Sequence, residues 1–462
     1  MTKTDVVIVG GGISGLATAF YLKKNGISSI LLEKTERLGG LIRTDYIKGC
    51  ELEAGPDSFI STKPSVIKLA QDLQIESELI GSNDEKRQIF VVRNGHLTPT
   101  PKGMVMMVPT DWNSVLRSPL FSDKTKGRFL LETFSKPRER SGDFSIRDFV
   151  LDHFGEEPLI YMTEALLSGV YGGDASQLSA RSVLPRFVEY EREYGSLIKA
   201  AQQERGGADR KQSFFLSFRG GMQTLIEKLR ENLDGNTVRL RAAVGQISRD
   251  ANCWRLQTQG ERIEASEVIL ACPAHVSSKL LANLDPALAC ELAEIPYSSA
   301  IVATLLYKHD SLGHPLNGFG FLVPRPERKT IAAATWINTK FPSRIAPEFA
   351  AIRAFIIDPE ATLHLKTSEA ELVAAVKTDL KLFMGITADP VHSLVFPWTQ
   401  SMPQYVVGHT QRCRRILSLL EKWPGLRLIS NYFDGVGIPD CVRLAEKTAY
   451  RLQQTLCASN RF

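Results

Sequence analysis

Four apolar side chains in a row follow Asp5 (DVVIV, residues 5–9), with no polar alternation, as in a strand buried on both faces of a parallel sheet. The run passes straight into Gly10, and a helical pattern then covers Leu16 to Lys24 (LATAFYLKK) until Gly26 stops it. A second apolar strand, Ile30 to Leu32, ends in Glu33. This order predicts the opening βαβ half of a parallel α/β sheet. Residues 60–86 read as helix through the stripe VIKLAQDLQI, and 87–101 as a hairpin turning at Asn94-Gly95. From 102 to about 212 the pattern is mostly helical, with breaks predicted at Pro119, Pro137 and Pro158.

Strand character returns at 213–218, and a helix opens after Arg219-Gly220-Gly221-Met222. VRLRAAVGQI and CWRLQTQ read as two edge segments, followed by the apolar strand EVILACPA, which should rejoin the first sheet. Between 295 and about 400 the runs SSAIVATLLY, FGFLVP, TIAAATWI and AIRAFII predict a mixed sheet, with a helix near 368–384. The final segment, RLISNYFDGVGIPDCVRLAEKTAYRLQQTL, reads as strand, glycine loop and a helix carrying Pro439 in its first turn.

The chemistry begins at the first turn. Gly10, Gly12 and Gly15, with Gly11, Ile13 and Ser14 between them, have the GxGxxG spacing of a loop that lets backbone approach a pyrophosphate. The helix that follows presents free N–H groups and a positive dipole end to those phosphates. Glu33 stands 18 residues beyond Gly15, where a carboxylate accepts hydrogen bonds from ribose hydroxyls.

A second glycine pair follows in KTERLGGLIRT, with Lys34, Arg37, Gly39, Gly40, Leu41 and Arg43. It resembles the extension seen in FAD-binding oxidases of the amine oxidase and protoporphyrinogen oxidase group, so FAD is expected rather than NAD. The turn EAGPDSF (Gly55, Pro56, Asp57, Ser58) is similar to the segment lying along the flavin in that group. No second GxGxxG occurs, which argues against a nicotinamide reductant and for oxygen or a diffusible electron acceptor.

Composition bounds the rest. A chain of 462 residues exceeds one compact core, and its 43% hydrophobic and 23% charged content is that of a globular enzyme. The net charge of +5 is too mild to suggest nucleic acid as a partner. Residues 102–147 hold nine basic side chains against five acidic ones, beside the apolar GMVMMVP. That combination is either a solvated basic face or a seat on anionic lipid. Seven scattered cysteines without a CxxC pair suggest a reducing compartment, and the early strand leaves no room for a leader, so a cytoplasmic protein is expected. The eight histidines show no metal-ligand spacing, no Ser-His-Asp or Cys-His constellation emerges, and no metal is expected.

Taken together, GGGISGLA, ERLGG, GPDSF, the block GVYGGDASQLSARSVLPRFVEYEREYGSLI (169–198), LSFRGGMQTL, VILACPA, GFGFLVP, MPQYVVGH and NYFDGVGIPDC resemble the bacterial oxygen-dependent protoporphyrinogen/coproporphyrinogen III oxidase family. The resemblance implies an α/β fold of the p-hydroxybenzoate hydroxylase/monoamine oxidase type. Its Rossmann-like FAD domain would be assembled from 1–86, 213–285 and 408–462, its mixed-sheet substrate domain from 87–101 and 286–407. An inserted helical domain, 102–212, would touch the inner face of the membrane.

It also implies oxidation of protoporphyrinogen IX or coproporphyrinogen III to the porphyrin, with oxygen as acceptor, in heme synthesis. By position, Gly10 to Gly15, Glu33, Lys34, Arg37, Gly40, Leu41, Gly55 to Ser58, Val244, Val436, Gly437 and Ile438 would bind FAD. Phe319, Gly320, Leu322 and Ile357 would line the substrate cavity, and no acid or base residue is called for. Arg87 resembles the family's propionate-anchoring arginine, the alternatives being Ile89 at that position or Arg87 as a surface charge. Asp358-Pro359 replaces a glycine pair often found there, and Trp398 either packs near the flavin or is core. An amine or carotenoid-type flavin oxidase of the same fold is the competing expectation, and it leaves 169–198 unexplained.

Overall fold

Val6 and Ile8 enter one apolar core while Val7 and Val9 enter another, so successive side chains of the first strand are buried on opposite faces of one sheet. This is seen in a computed structural model describing residues 2–205, 213–250 and 253–459. The strand, Thr2–Val9, pairs in parallel with Ser29–Leu32 on one side and Arg262–Leu270 on the other. Val238–Arg239 extends the sheet beyond Ser29–Leu32, and Leu426–Leu428 pairs with Arg262–Leu270. The helices Ile13–Lys24 and Ile438–Ser459 pack against each other on the Val6 and Ile8 face.

The second sheet is mixed and seven-stranded, in the order His392–Pro403, Tyr297–Lys308, Phe349–Ile357, Ala333–Trp336, Gly320–Leu322, Ile89–Arg93 and His96–Pro99. Only Gly320–Leu322 against Ile89–Arg93 is parallel. Helix Glu369–Met384 covers one face, begun by a capping box in which Ser368 and Glu371 satisfy each other's backbone N–H. A third core, built on Phe129, Phe149, Phe154 and Leu178, holds the helices between Trp112 and Arg205 together. Residues 206–212 of the predicted helical segment lie outside the described residues.

Three expectations are corrected. The helix expected over 60–86 runs only over Ser65–Asp72, and Phe59–Ile60, Leu79–Gly81 and Phe215–Phe218 form a small sheet around it. The stripe VIKLAQDL supplies two turns of apolar face, and Gln74 at φ 58 ends them. Pro158 breaks nothing. It lies in the first turn of a helical run from Glu156 to Tyr171, where its missing N–H has no intrahelical partner to lose. VRLRAAVGQI is not one edge segment, because Arg241 at φ 53 divides it. Val238–Arg239 ends one edge of the first sheet and Val244–Asp250 the other.

Candidate active site

The glycine turn is built for close approach. A Cβ on Gly15 would lie 1.9 Å from the Gly10 carbonyl oxygen, so only glycine lets the helix start this near the strand end. A Cβ on Gly12 would meet nothing within 4 Å, although Gly12 caps the same helix with no side chain closing its N-terminus. The helix therefore opens its first N–H groups onto free space, with Ile13 half-buried and Ser14 buried.

The second glycine pair closes over the first. Gly39 N–H donates to the Gly11 carbonyl at 2.8 Å, and Gly40 lies against Gly12. Arg37 holds this loop by donating to the carbonyls of Leu38 and Ile42, each at 3.0 Å, and to that of Gly40. Glu33 ties both loops together. One carboxylate oxygen accepts from Gly11 N–H at 2.8 Å, and the other from the N–H and hydroxyl of Thr35 at 2.9 and 2.8 Å. A carboxylate has about four lone-pair sites, so acceptor capacity remains for a ribose. Val244 begins the strand two residues after Ala242, whose N–H donates to the Glu33 carbonyl at 2.8 Å. Lys34 is exposed beside it.

Farther along, Leu41 and Gly55 touch. A Cβ on Gly55 would be 1.8 Å from the Leu41 carbonyl oxygen. The turn Ala54–Ser58 is gripped from beneath by side chains distant in sequence. Trp398 Nε1 donates to the Ala54 carbonyl at 2.8 Å, Arg353 to that of Gly55, and Arg344 and Ser217 to that of Asp57 at 3.2 and 2.8 Å. Lys340 Nζ donates to the Asp57 carboxylate at 2.8 and 3.0 Å and to Ser58 Oγ at 3.2 Å. Burial raises the pKa of Asp57, but Lys340 and Arg353 outweigh it and hold the carboxyl well below its usual range. Sequence reasoning missed Lys340, Arg344 and Arg353, whose one signal was an arginine inside the apolar run AIRAFII.

The C-terminal helix Ile438–Ser459 packs against helix Ile13–Lys24, the one that follows the glycine turn. Val436 and Gly437 are half-buried and Ile438 is buried. Asp440 in the first turn of the C-terminal helix pairs with Lys63 at 2.6 Å, across from the segment after Ser58. Tyr405 of MPQY fixes the approaching loop, its hydroxyl accepting from Gly435 N–H at 3.0 Å and donating to the Asn431 carbonyl at 2.6 Å.

Hydrogen bonds and close contacts join Glu33 to the two glycine loops, and Leu41 to the Ala54–Ser58 turn, so these segments adjoin one another as the lining of a candidate cofactor trough. The profile of the flavin containing amine oxidoreductases matches residues 13–453. The coproporphyrinogen III oxidase of Bacillus subtilis (strain 168) is 33% identical over 454 residues, 95% of this chain and 96% of that one. That of Staphylococcus aureus (strain NCTC 8325 / PS 47) is 30% identical over 96% of this chain and 97% of its own. The chain belongs to the protoporphyrinogen/coproporphyrinogen III oxidase family. A crystal structure from Exiguobacterium sp. 255-15, assigned as a protoporphyrinogen oxidase, superposes with a TM-score of 0.87 at 31% identity, covering 98% of this chain and 99% of that one.

Membership in this family makes the cofactor FAD, and the trough fits it. The space over Gly12 would take the phosphates and Glu33 the ribose, and the 54–58 turn and residues 436–438 would meet the flavin.

Of the family's expected substrate residues, Leu322 and Ile357 end two strands, Gly320–Leu322 and Phe349–Ile357, that are separated by Ala333–Trp336 and both contacted by helix Ala165–Tyr171. The side chains of Ser168, Val170 and Tyr171 on that helix lie outside the described ones. Phe319 is buried, its N–H bonded to the Gln88 carbonyl at 2.7 Å, and Gly320 pairs with Ile89 and Thr335. Arg87 is not drawn to this interface. Its guanidinium lies over the Phe214 ring, 4.9 Å from the centroid, and 3.9 Å from Asp84. Asp358 is engaged locally, accepting from the N–H of Ser299 and from that of Thr362 at 2.9 Å. Among the described residues no cluster of potential metal ligands occurs.

Proposed function

We propose that the protein oxidises coproporphyrinogen III to coproporphyrin III, with electrons passing through FAD to oxygen. Full-length similarity to two coproporphyrinogen III oxidases supports the choice, and one feature of the geometry carries it. A cleft of about 540 Å³ beside helix Ala165–Tyr171 is lined by Arg147, Arg325, Glu164 and Asp174. Arg328 adds a third guanidinium to the field at Glu164. Asp174 accepts from the Ser176 N–H at 2.8 Å and pairs with Arg325 at 3.3 Å. Burial, and then Asp174, raise the pKa of Glu164 against the lowering effect of Arg147, Arg325 and Arg328. Coproporphyrinogen carries propionates where protoporphyrinogen carries two vinyls, and guanidinium groups bind such carboxylates by charge-assisted, often bidentate bonds.

FAD supplies the hydride acceptor. The chain's own residues would orient and enclose: Phe319, Leu322 and Ile357 would offer apolar surface to a flat macrocycle, and the 54–58 turn and residues 436–438 would hold the flavin. No side chain need act as acid or base, because the macrocycle loses its own N–H protons. Without air, flavin absorbance should bleach at lower concentrations of coproporphyrinogen III than of protoporphyrinogen IX. Arg325→Ala should erase that preference, and equal saturation by both in the unaltered enzyme contradicts the choice.

The helical region is proposed to rest on an anionic membrane surface on the cytoplasmic side. Leu131 and Phe134 are 73% and 78% exposed at the end of helix Asp123–Glu132, with Lys199 6.0 Å from the Phe134 ring. Exposed apolar side chains with a lysine beside them suit an interfacial contact. No helix among the described residues is long and apolar enough to cross a membrane.

A further inference from the structure

The charged side chains beneath the Ala54–Ser58 turn are more than the turn needs to stay folded. Lys340, Arg344 and Arg353 retain 11%, 1% and 4% of their side-chain exposure, and they face Asp57, Glu53 and Glu51. Buried ion pairs recover little net stability after desolvation, and apolar residues of similar volume often serve as well. Such a cluster is better understood by what it orients. Its donors take the carbonyls of Gly55 and Asp57 and the side chains of Asp57 and Ser58, while Trp398 takes the carbonyl of Ala54.

Every one of these acceptors therefore points into the protein. The N–H groups of Gly55, Asp57 and Ser58 have no acceptor among the described residues, and all three residues are half-buried. With the carbonyls pulled inward, the turn offers an edge of backbone donors on its opposite side. Arg353 comes from the strand Phe349–Ile357 of the second sheet, and Lys340 and Arg344 from the short helical turns Ile337–Lys340 and Pro342–Arg344 that precede it, close to 300 residues away in the chain.

We propose that Lys340, with Arg353, is a positioning residue for the cofactor: by clamping Asp57 and the Gly55 carbonyl it aims the N–H edge of the 54–58 turn at the flavin, where it stabilises the negative charge of the reduced ring. The proposal rests on FAD in the trough and is independent of which porphyrinogen is oxidised. Oriented backbone donors in a dry site strengthen as charge develops, so the reduced form gains more from them than the oxidised form.

The test uses the FAD-loaded enzyme, Lys340→Met, and the double variant Lys340→Met/Asp57→Asn, in which neither member of the Lys340–Asp57 pair carries a charge and Arg353 keeps Glu53 as its nearby carboxylate. FAD affinity is titrated by flavin fluorescence quenching, the midpoint potential by dye equilibration, and the melting temperature of the FAD-free proteins is followed alongside. The single variant should melt lower, and the double variant should recover much of that loss. Both should bind FAD about tenfold more weakly and lose about tenfold of the preference for reduced flavin, a potential lower by about 30 mV for a two-electron couple. A double variant with unaltered FAD affinity and potential, whatever its melting temperature, overturns the proposal and leaves the cluster a purely structural contact.

Discussion

Glu33 Oε2 accepts a hydrogen bond from the Gly11 N–H at 2.8 Å, so the acid at the end of the second strand braces the glycine turn at the end of the first. The carboxylate thus shapes the cradle as well as offering acceptors to a ribose. Glu33→Gln keeps the size and loses the charge. A hydrogen bond to a charged group contributes about 1.5–3 kcal/mol, so FAD should bind on the order of tenfold to a hundredfold more weakly in a titration by fluorescence quenching.

Two glycines three residues apart should behave in opposite ways. Gly15→Ala forces a methyl to 1.9 Å from the Gly10 carbonyl oxygen, and the FAD-free protein should lose solubility or melt far lower. Gly12→Ala meets nothing within 4 Å, so the FAD-free protein should keep its melting temperature. It should nevertheless bind FAD poorly, because the added methyl occupies the space over the helix N-terminus. Full FAD binding by Gly12→Ala would show that the phosphates lie elsewhere.

In the helical region, His153 lies between Glu132 at 3.0 Å and Glu191 at 3.1 Å, with Arg138 and Arg140 also on Glu191. Burial lowers the histidine pKa, but the hydrogen bonds to both carboxylates outweigh it and leave it raised above 6.5. Glu191, opposed by burial but bonded to His153, Arg140 and Arg138, is held well below 4.5. The histidine contribution is complete below pH 6.5 and is lost as pH rises through the raised folded value. The Glu191 contribution is complete above pH 4.5 and is lost as pH falls. Melting temperature should therefore decline on the alkaline side, and His153→Gln should flatten that decline while costing about 3 kcal/mol below it.

Membrane association is checked by co-sedimentation with vesicles containing anionic lipid. Binding at low salt should weaken as salt is raised, and Leu131→Ser/Phe134→Ser should weaken it further without changing porphyrin formation in detergent. Absence of binding at low salt contradicts the proposed seat.

The glycine turn and its Glu33 brace were legible in the sequence because their parts are local. Gly10 to Gly15 lie on consecutive residues, Glu33 follows at one βαβ spacing, and Val6 to Val9 declare a doubly buried strand. The helix Glu369–Met384 was legible for the same reason, having its cap and its stripe within one segment. What grips the trough was not legible. Lys340 and Asp57 meet only because two sheets built from separate stretches pack together, and nothing near either residue specifies the other. Arg241 shows the same limit on a smaller scale: a positive φ at a non-glycine residue turned one apparent strand into the opposite edges of a sheet.

The most direct test offers coproporphyrinogen III and protoporphyrinogen IX separately to the FAD-loaded protein in air and follows porphyrin fluorescence. The expected result is porphyrin from coproporphyrinogen III at the higher kcat/KM, with peroxide accumulating alongside. Faster turnover of protoporphyrinogen IX would contradict the assignment of the arginine cleft, and no porphyrin from either substrate would contradict the account as a whole.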